Sequence, residues 1–168
     1  MRALLQLLTI ASLLFFQAGC NPDSINPLAP EQSQEQNNEN PTENKEYSMP
    51  SEIKITVSGK TLPVKIEDNE ATKALVAALR EASITYEAHD YGGFEKVGAL
   101  GRSLPTSDTQ ITTQAGDVIL YSGNQIVLFY GSNTWSYTRI GKMQYESLDE
   151  LKSFLKAGEG NISVTMSL

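Results

Sequence analysis

The sequence has little of the chemistry that most metal sites and covalent catalysts use. Its 168 residues include one cysteine, one histidine and one tryptophan. A lone cysteine excludes an internal disulfide, and together with a lone histidine it excludes any site built from several Cys or His ligands. We therefore expect neither a bound metal nor a cofactor.

Positive charge is also scarce. The chain has 13 lysines and arginines against 20 acidic residues, a net charge of −7. Residues 21–50 hold six acidic side chains and one basic one, whereas the chain from residue 51 onward is nearly balanced, with 14 and 11. The chain from residue 51 onward lacks the basic stripe that nucleic-acid binding requires. We expect no nucleic-acid partner, and we expect a monomer.

Residues 1–19 have the pattern of an export signal. A positively charged start is followed by "ALLQLLTIASLLFFQ" and then by Ala18, Gly19 and Cys20. This apolar run is short for a spanning helix, and small residues follow it, as in a secretory signal peptide. Because the small residues end in the single cysteine, the segment resembles a bacterial lipoprotein signal. The alternatives are a plain signal peptide or a short membrane anchor with a buried cysteine.

The lipoprotein resemblance implies that Cys20 is the lipid attachment site, with fatty acyl chains such as palmitate holding the protein to a membrane. We expect a location in the bacterial cell envelope, on the extracytoplasmic side of that membrane. Residues 20–50 would then be the acylated cysteine and a tether. They are rich in Asn, Gln, Glu, Ser and Pro, so we expect disorder and a reach of roughly 30 Å.

Residues 51–168 are predicted to form one folded domain. Apolar residues alternate with polar ones in "EIKITVSGKTLPVKIED", "SITYEAHDY", "GDVILYSGNQIVLFYG", "SYTRIGKM" and "NISVTMSL", which predicts about eight strands. Helical spacing in "EATKALVAALREA" and "SLDELKSFLKAGEG" predicts two short helices, whereas the pattern between Gly92 and Gln114 is irregular. The prediction is a mainly β domain, a small closed or nearly closed barrel with two helices.

Most of this domain resembles the bacterial cyclophilin-like fold family. The segments that carry the resemblance are "IKITVSGKTLPVKIEDNEATKALVAAL", "YGGFEKVGALGRSLPT" and "AGDVILYSGNQIVLFYGSNTWSYTRIGKM". The resemblance implies an eight-stranded β-barrel, shared with the prolyl isomerases called cyclophilins. Those enzymes use an F-x-R strand motif and a Q-G-G-D turn, and both motifs are absent. The nearest segment is "YGGF" at residues 91–94, so no catalytic residue is assigned.

Aromatic and arginine side chains in the segments "YGGFEKVGALGRSLPT" and "AGDVILYSGNQIVLFYGSNTWSYTRIGKM" are candidates for a ligand groove. Alternation predicts that Ile126 and Leu128 share one face of a strand while Val127 and Phe129 share the other, and that both sets are mostly core. The groove candidates that remain are Tyr91, Arg102, Trp135, Tyr137 and Arg139. Either arginine is open to a simpler interpretation, as a strand residue stacked on tyrosine or as a solvated loop charge.

Two charged dipeptides have open roles. Glu95-Lys96 is either a structural ion pair or cap, or part of a site. His89-Asp90 suggests a base and its orienting acid, but adjacent strand residues point to opposite faces and no nucleophile accompanies them.

Three functions are compatible with these patterns. The first is an anchored lipoprotein whose barrel binds a peptide or small ligand in an apolar groove. The second is a peptidyl-prolyl isomerase acting on exported proteins. The third is a structural or interaction lipoprotein without a ligand.

Overall fold

The structure, a computed structural model, describes residues 48–168, which form a ring of antiparallel strands with two helices. The predicted signal at residues 1–19, Cys20 and the tether as far as residue 47 lie outside the described residues. In the part of the chain that is described, no helix is long and apolar enough to cross a membrane.

Seven strands and both helices lie in the segments that the sequence patterns predict, and two further strands lie in the irregular segment between Gly92 and Gln114. The strands are β1 (Glu52–Val57), β2 (Lys60–Ile66), β3 (Ile84–Tyr91), β4 (Glu95–Ala99), β5 (Thr109–Thr112), β6 (Asp117–Tyr121), β7 (Gln125–Phe129), β8 (Thr134–Met143) and β9 (Ile162–Ser167). The helices are α1 (Glu70–Glu81) and α2 (Leu148–Phe154).

Eight of the strands close into a barrel. Their order is β2-β1-β9-β3-β4-β7-β6-β8, and β8 returns to β2 through pairs such as Val64 with Met143. The ninth strand, β5, pairs with the first half of β8 outside this ring. The predicted eight-stranded barrel with two short helices is confirmed. The irregular segment after Gly92 contains both β4 and β5.

Local signals in the sequence begin and end these elements. In the β1–β2 turn, Ser58 and Gly59 have φ values of 49° and 77°, the left-handed pair that suits a two-residue hairpin loop. Asn69 caps α1 by accepting a hydrogen bond of 2.9 Å from the backbone N–H of Thr72. Ser147 caps α2 in the same way, as its S-x-x-E pattern predicts.

Two apolar clusters divide the side chains of the strands. The larger contains Ile55, Val64, Tyr86, Ile126 and Val164, which come from strands all around the ring, and it therefore fills the interior. The smaller cluster lies on the opposite face of the sheet and is called the outer cluster here. It contains Ile119, Val127, Phe129 and Tyr137, with Phe94, Val97, Ile111 and Tyr121 packed against it.

The predicted alternation along β7 is confirmed by this division. Ile126 and Leu128 belong to the interior core, while Val127 and Phe129 belong to the outer cluster. A contiguous apolar patch on the outside of a barrel marks a surface against which something else packs. Here the neighbouring side chains cover the outer cluster only in part, so the cluster forms the floor of a groove.

Candidate functional site

A concave site lies over the outer cluster. It is a cavity of about 240 Å³ between β3, β4, β6 and the start of β8. The side chains that line it are Tyr91, Glu95, Tyr121, Asn133, Trp135 and Tyr137. Four of these six residues are aromatic, so the cavity offers flat ring surfaces beside a carboxyl and an amide.

Strand register explains why residues distant in sequence meet here. Tyr91 on β3 pairs with Glu95 on β4, and Glu95 pairs in turn with Phe129 on β7. Paired residues on neighbouring strands point to the same face of a sheet. A single row across three strands therefore places a tyrosine, a carboxyl and a phenyl ring side by side.

Tyr137 is held in one orientation at the base of this cavity. Only 5% of it is exposed. Its ring meets the rings of Tyr121 and Phe129 edge to face, at centroid distances of 5.9 Å and 5.8 Å, and its hydroxyl accepts a hydrogen bond of 3.0 Å from the Asn133 amide. Burial raises the pKa of Tyr137, so the hydroxyl stays neutral near neutral pH. The ring is a fixed surface on which a ligand can pack.

Tyr91 and Trp135 contribute exposed rings to the same cavity. They are 62% and 56% exposed, the two highest values among the large apolar side chains of the described chain. Rings of this kind give a large contact area at a small cost in side-chain entropy. Their position beside a fixed ring is typical of a binding surface rather than of scattered surface residues.

A second cavity adjoins the first along β3 and β4. It measures about 420 Å³, and Tyr91 and Glu95 line both cavities. The other lining side chains include Glu87 and His89 from β3 and Gln125 from β7. The two cavities together form a groove on the outer barrel wall, called the outer groove here.

Glu95 is the unusual residue of the outer groove. It is 5% exposed, and its buried Oε2 has no hydrogen-bond partner. Burial raises the pKa of its carboxyl to about 7, because the charged form loses hydration without gaining a donor. Near neutral pH this acid is therefore partly protonated, unlike an ordinary surface glutamate.

Lys96, the next residue, points to the other face of the sheet. Its ammonium is fully buried and pairs with Asp90 Oδ2 at 2.8 Å, and it also donates to the Gly160 carbonyl oxygen. Asp90 further accepts the backbone N–H groups of Gly158 and Gly160 and the hydroxyl of Tyr130. Burial alone raises the pKa of Asp90, but these donors outweigh it and lower that pKa to about 2. This ion pair is structural: it ties the loop after α2 to the barrel.

In each of the two charged dipeptides, the two residues point to opposite faces of the sheet. Glu95 and Lys96 do not pair with each other, because one lies in the outer groove and the other in the interior. His89 lines the second cavity, whereas Asp90 holds Lys96. The prediction that His89 and Asp90 point to opposite faces of the strand is confirmed, and the two do not form a catalytic pair.

The two candidate arginines lie away from the outer groove. Arg139 contacts Asp117 at 3.3 Å and Glu67 at 3.6 Å, and Asp117 is fully buried. Arg139 therefore neutralises a buried carboxylate. Arg102 is exposed in the segment after β4 and lines neither cavity of the outer groove. Of the five sequence candidates, the structure brings together Tyr91, Trp135 and Tyr137 and leaves both arginines outside.

Three residues that line the first cavity, Glu95, Tyr121 and Asn133, were not among the five groove candidates. Alternation in β4 places Glu95 on the same face as the outer-cluster residue Val97, which was an available signal. Tyr121 ends a predicted strand and was open to the same reasoning. Asn133 lies in the connection before β8, where no periodicity indicates direction.

Metal chemistry has no evident site in the part of the chain that is described. Within residues 48–168, no three or more His, Cys, Asp or Glu side chains are grouped so that they could hold a metal ion.

Comparison with known proteins identifies the family. The Cyclophilin-like family matches residues 55–167, more than half of the chain. No curated protein matches the sequence. Among solved structures, the chain is similar to a hypothetical protein from Archaeoglobus fulgidus, determined in solution. The two share 18% sequence identity over 70% of this chain and 93% of that one, with a TM-score of 0.48. On the family match, the chain belongs to the Cyclophilin-like family.

Proposed function

We propose that this protein is a binding module that holds a peptide or small ligand in the outer groove. The observation that carries the proposal is the convergence of two exposed rings, Tyr91 and Trp135, on the fixed ring of Tyr137. A preformed concave site lined by aromatic side chains, with a few polar groups that fix orientation, is the usual form of a small-ligand site.

Little side-chain entropy is lost when a ligand binds at this site. Tyr137 is already fixed by Tyr121, Phe129 and Asn133, so a ligand that packs on it immobilises no further rotamer. Tyr91 and Trp135 each have only two side-chain torsions to order. The entropic cost of closing the groove around a ligand is therefore small relative to the apolar area that becomes buried.

Binding fits the outer groove better than prolyl isomerisation. That reaction twists an amide against a barrier of roughly 18–20 kcal/mol, and in cyclophilins an arginine donates to the prolyl nitrogen. Arg102 and Arg139 lie outside the groove, and no described lysine or arginine lines either of its cavities. We therefore assign the groove a binding role.

We further propose that the module works at a membrane surface in the bacterial cell envelope, attached through acylated Cys20. The support is in the sequence: a short apolar run, two small residues and then the single cysteine. Two or more acyl chains give stable anchoring, whereas one gives marginal binding. Replacement of Cys20 by alanine should abolish fatty-acid labelling of the protein in bacterial cells, and persistent labelling would refute the anchor.

Intrinsic fluorescence tests the groove, because Trp135 is the only tryptophan and lines it. Titration of the full-length protein with a panel of short peptides should shift the emission for those that bind. Tyr91→Ala should weaken that binding at least about tenfold, since a stacked ring contributes about 0.5–1.5 kcal/mol beyond its buried area. Leu148→Ala is the matched control, as Leu148 is an exposed apolar residue on α2 that lines neither cavity. Equal losses in both variants would contradict the assignment.

A further inference from the structure

Glu95 is a buried acid in the wall of the outer groove, and nothing in the described chain satisfies it. Its Oε2 is shielded from solvent and has no hydrogen-bond partner. Such an atom loses hydration without a replacement, which is costly unless a bound molecule supplies a donor. Because Glu95 lines both cavities, a ligand in either one lies next to it.

The surroundings of Glu95 favour a cation. Glu87 lines the second cavity as well, and among the described side chains that line the groove His89 is the one basic group. The faces of aromatic rings carry partial negative charge and attract ammonium groups. Tyr91 and Trp135 supply such rings at the first cavity. A carboxylate ligand would meet two acids and the ring faces, all of which favour an organic cation instead.

Because the Glu95 carboxyl lacks a hydrogen-bond donor, a cation that carries an N–H group suits it best. A quaternary ammonium has no N–H and could not donate a hydrogen bond to the Glu95 carboxyl. We propose that the outer groove recognises ligands through a primary ammonium group, which donates to Glu95 while its alkyl stem packs on the rings of Tyr91 and Trp135. This inference rests on the proposed function and names the ligand class of that site. A lysine side chain of a peptide and a free alkylamine both carry this group.

Binding of an ammonium in this way should depend on pH. The pKa of Glu95 is raised by burial to about 7, and an amine with a pKa near 10.4 stays charged, so binding requires only that Glu95 lose its proton. Affinity should then rise about tenfold between about pH 6 and about pH 8, and binding at the lower pH should release a proton.

Other titratable groups also face Glu95. They are Glu87, His89 and Tyr91 from β3, Tyr121 from β6 and Tyr137 from β8. His89 is the one basic group among them, and a positive charge there would repel an ammonium. Tyr130 lies in the interior core, where its hydroxyl donates to Asp90, and Glu95 acts on it only through its charge. The variant His89→Gln separates the two sources, because it should retain the dependence if Glu95 causes it.

The test compares two probes that differ in the ammonium. N-acetyl-lysine methylamide and N-acetyl-norleucine methylamide are titrated into the full-length protein at about pH 8, with Trp135 emission as the readout. The lysine probe should bind at least about tenfold more tightly, as expected for a charge-assisted hydrogen bond. Glu95→Gln should bring the ratio of the two dissociation constants close to one, and Leu148→Ala, which lies outside the groove, should leave it unchanged.

Two further probes show more narrowly which class of ligand the groove binds. The ε-trimethylated lysine probe should bind more weakly than the lysine probe, and equal binding would overturn the hydrogen-bond step. Pentylammonium shows whether the ligand is a free alkylamine or the lysine side chain of a peptide. Affinity equal to that of the lysine probe indicates a free amine, while weaker binding indicates that the flanking peptide groups are also recognised.

The outcomes also separate this inference from the proposed function. If both uncharged and charged probes bind equally, or if Glu95→Gln keeps the preference, the ammonium inference fails and the groove still binds ligands. If no probe shifts the fluorescence, both fail. Should Glu95→Gln not fold, calorimetry of the wild-type protein in two buffers of different ionisation enthalpy decides: no proton release on binding of the lysine probe near pH 6 overturns the inference.

Discussion

The buried carboxyl of Glu95 makes the stability of the folded protein depend on pH. Its pKa is about 7 in the fold against an ordinary value of 4.5, so the folded state holds this proton more tightly than the unfolded chain. The stabilising contribution is complete below about pH 4.5 and is lost as the pH rises through about 7. At about 1.36 kcal/mol for each pKa unit, the full loss is about 3 kcal/mol, of which about 2.5 kcal/mol falls between about pH 5 and about pH 8.5.

The assay is urea denaturation of the wild-type protein and of Glu95→Gln over that range of pH, followed by circular dichroism. Glutamine has a similar shape and no charge, so the free energy of unfolding of the wild type relative to the variant should fall by about 2.5 kcal/mol from about pH 5 to about pH 8.5. His89 is present in both proteins and cancels in the comparison. Parallel pH profiles would refute the view that the fold buries this carboxyl without a partner.

The remaining predictions concern the interior of the barrel. Asp90→Asn should lower the free energy of unfolding by about 3–5 kcal/mol in urea denaturation, because it leaves the ammonium of Lys96 buried and unpaired. The double variant with Lys96→Met should recover much of that loss, and a double variant as unstable as the single one would contradict it. Gly98→Ala should cost about 1–3 kcal/mol in the same assay, since a Cβ there would overlap the Glu87 carbonyl oxygen and the Tyr86 ring. An unchanged midpoint would show that β3 and β4 lie further apart than the structure places them.

Much of the fold could be predicted because strand periodicity is a local property. Alternation in β7 assigned Ile126 and Val127 to opposite faces, and the structure places them in the interior core and the outer cluster. The strand β5 had no such signal, since Ile111 is the only apolar residue in its four positions. β5 forms because β8 extends beyond the barrel and offers a free edge, which is a tertiary feature.

Three residues that line the candidate site were candidates from the sequence. Trp135 and Tyr137 were candidates because large rings in a short segment must either fill a core or form a surface, and Tyr91 because it could complete a groove beside them. Arg139 was grouped with them because nothing local shows that Asp117, 22 residues earlier, is buried beside it and draws it away. The burial of Glu95 depends on its place between Tyr91 and Phe129 in the sheet, so it appears only once the barrel is closed.

The central claim is that the outer groove is the ligand site of this protein. Amide chemical-shift mapping by NMR, with N-acetyl-lysine methylamide added to the labelled full-length protein, tests it most directly. The largest shifts should fall at Tyr91, Glu95, Trp135 and Tyr137. Shifts centred instead on the cavity between β2 and α2, near Leu62 and Phe154, or no shifts at all, would contradict it.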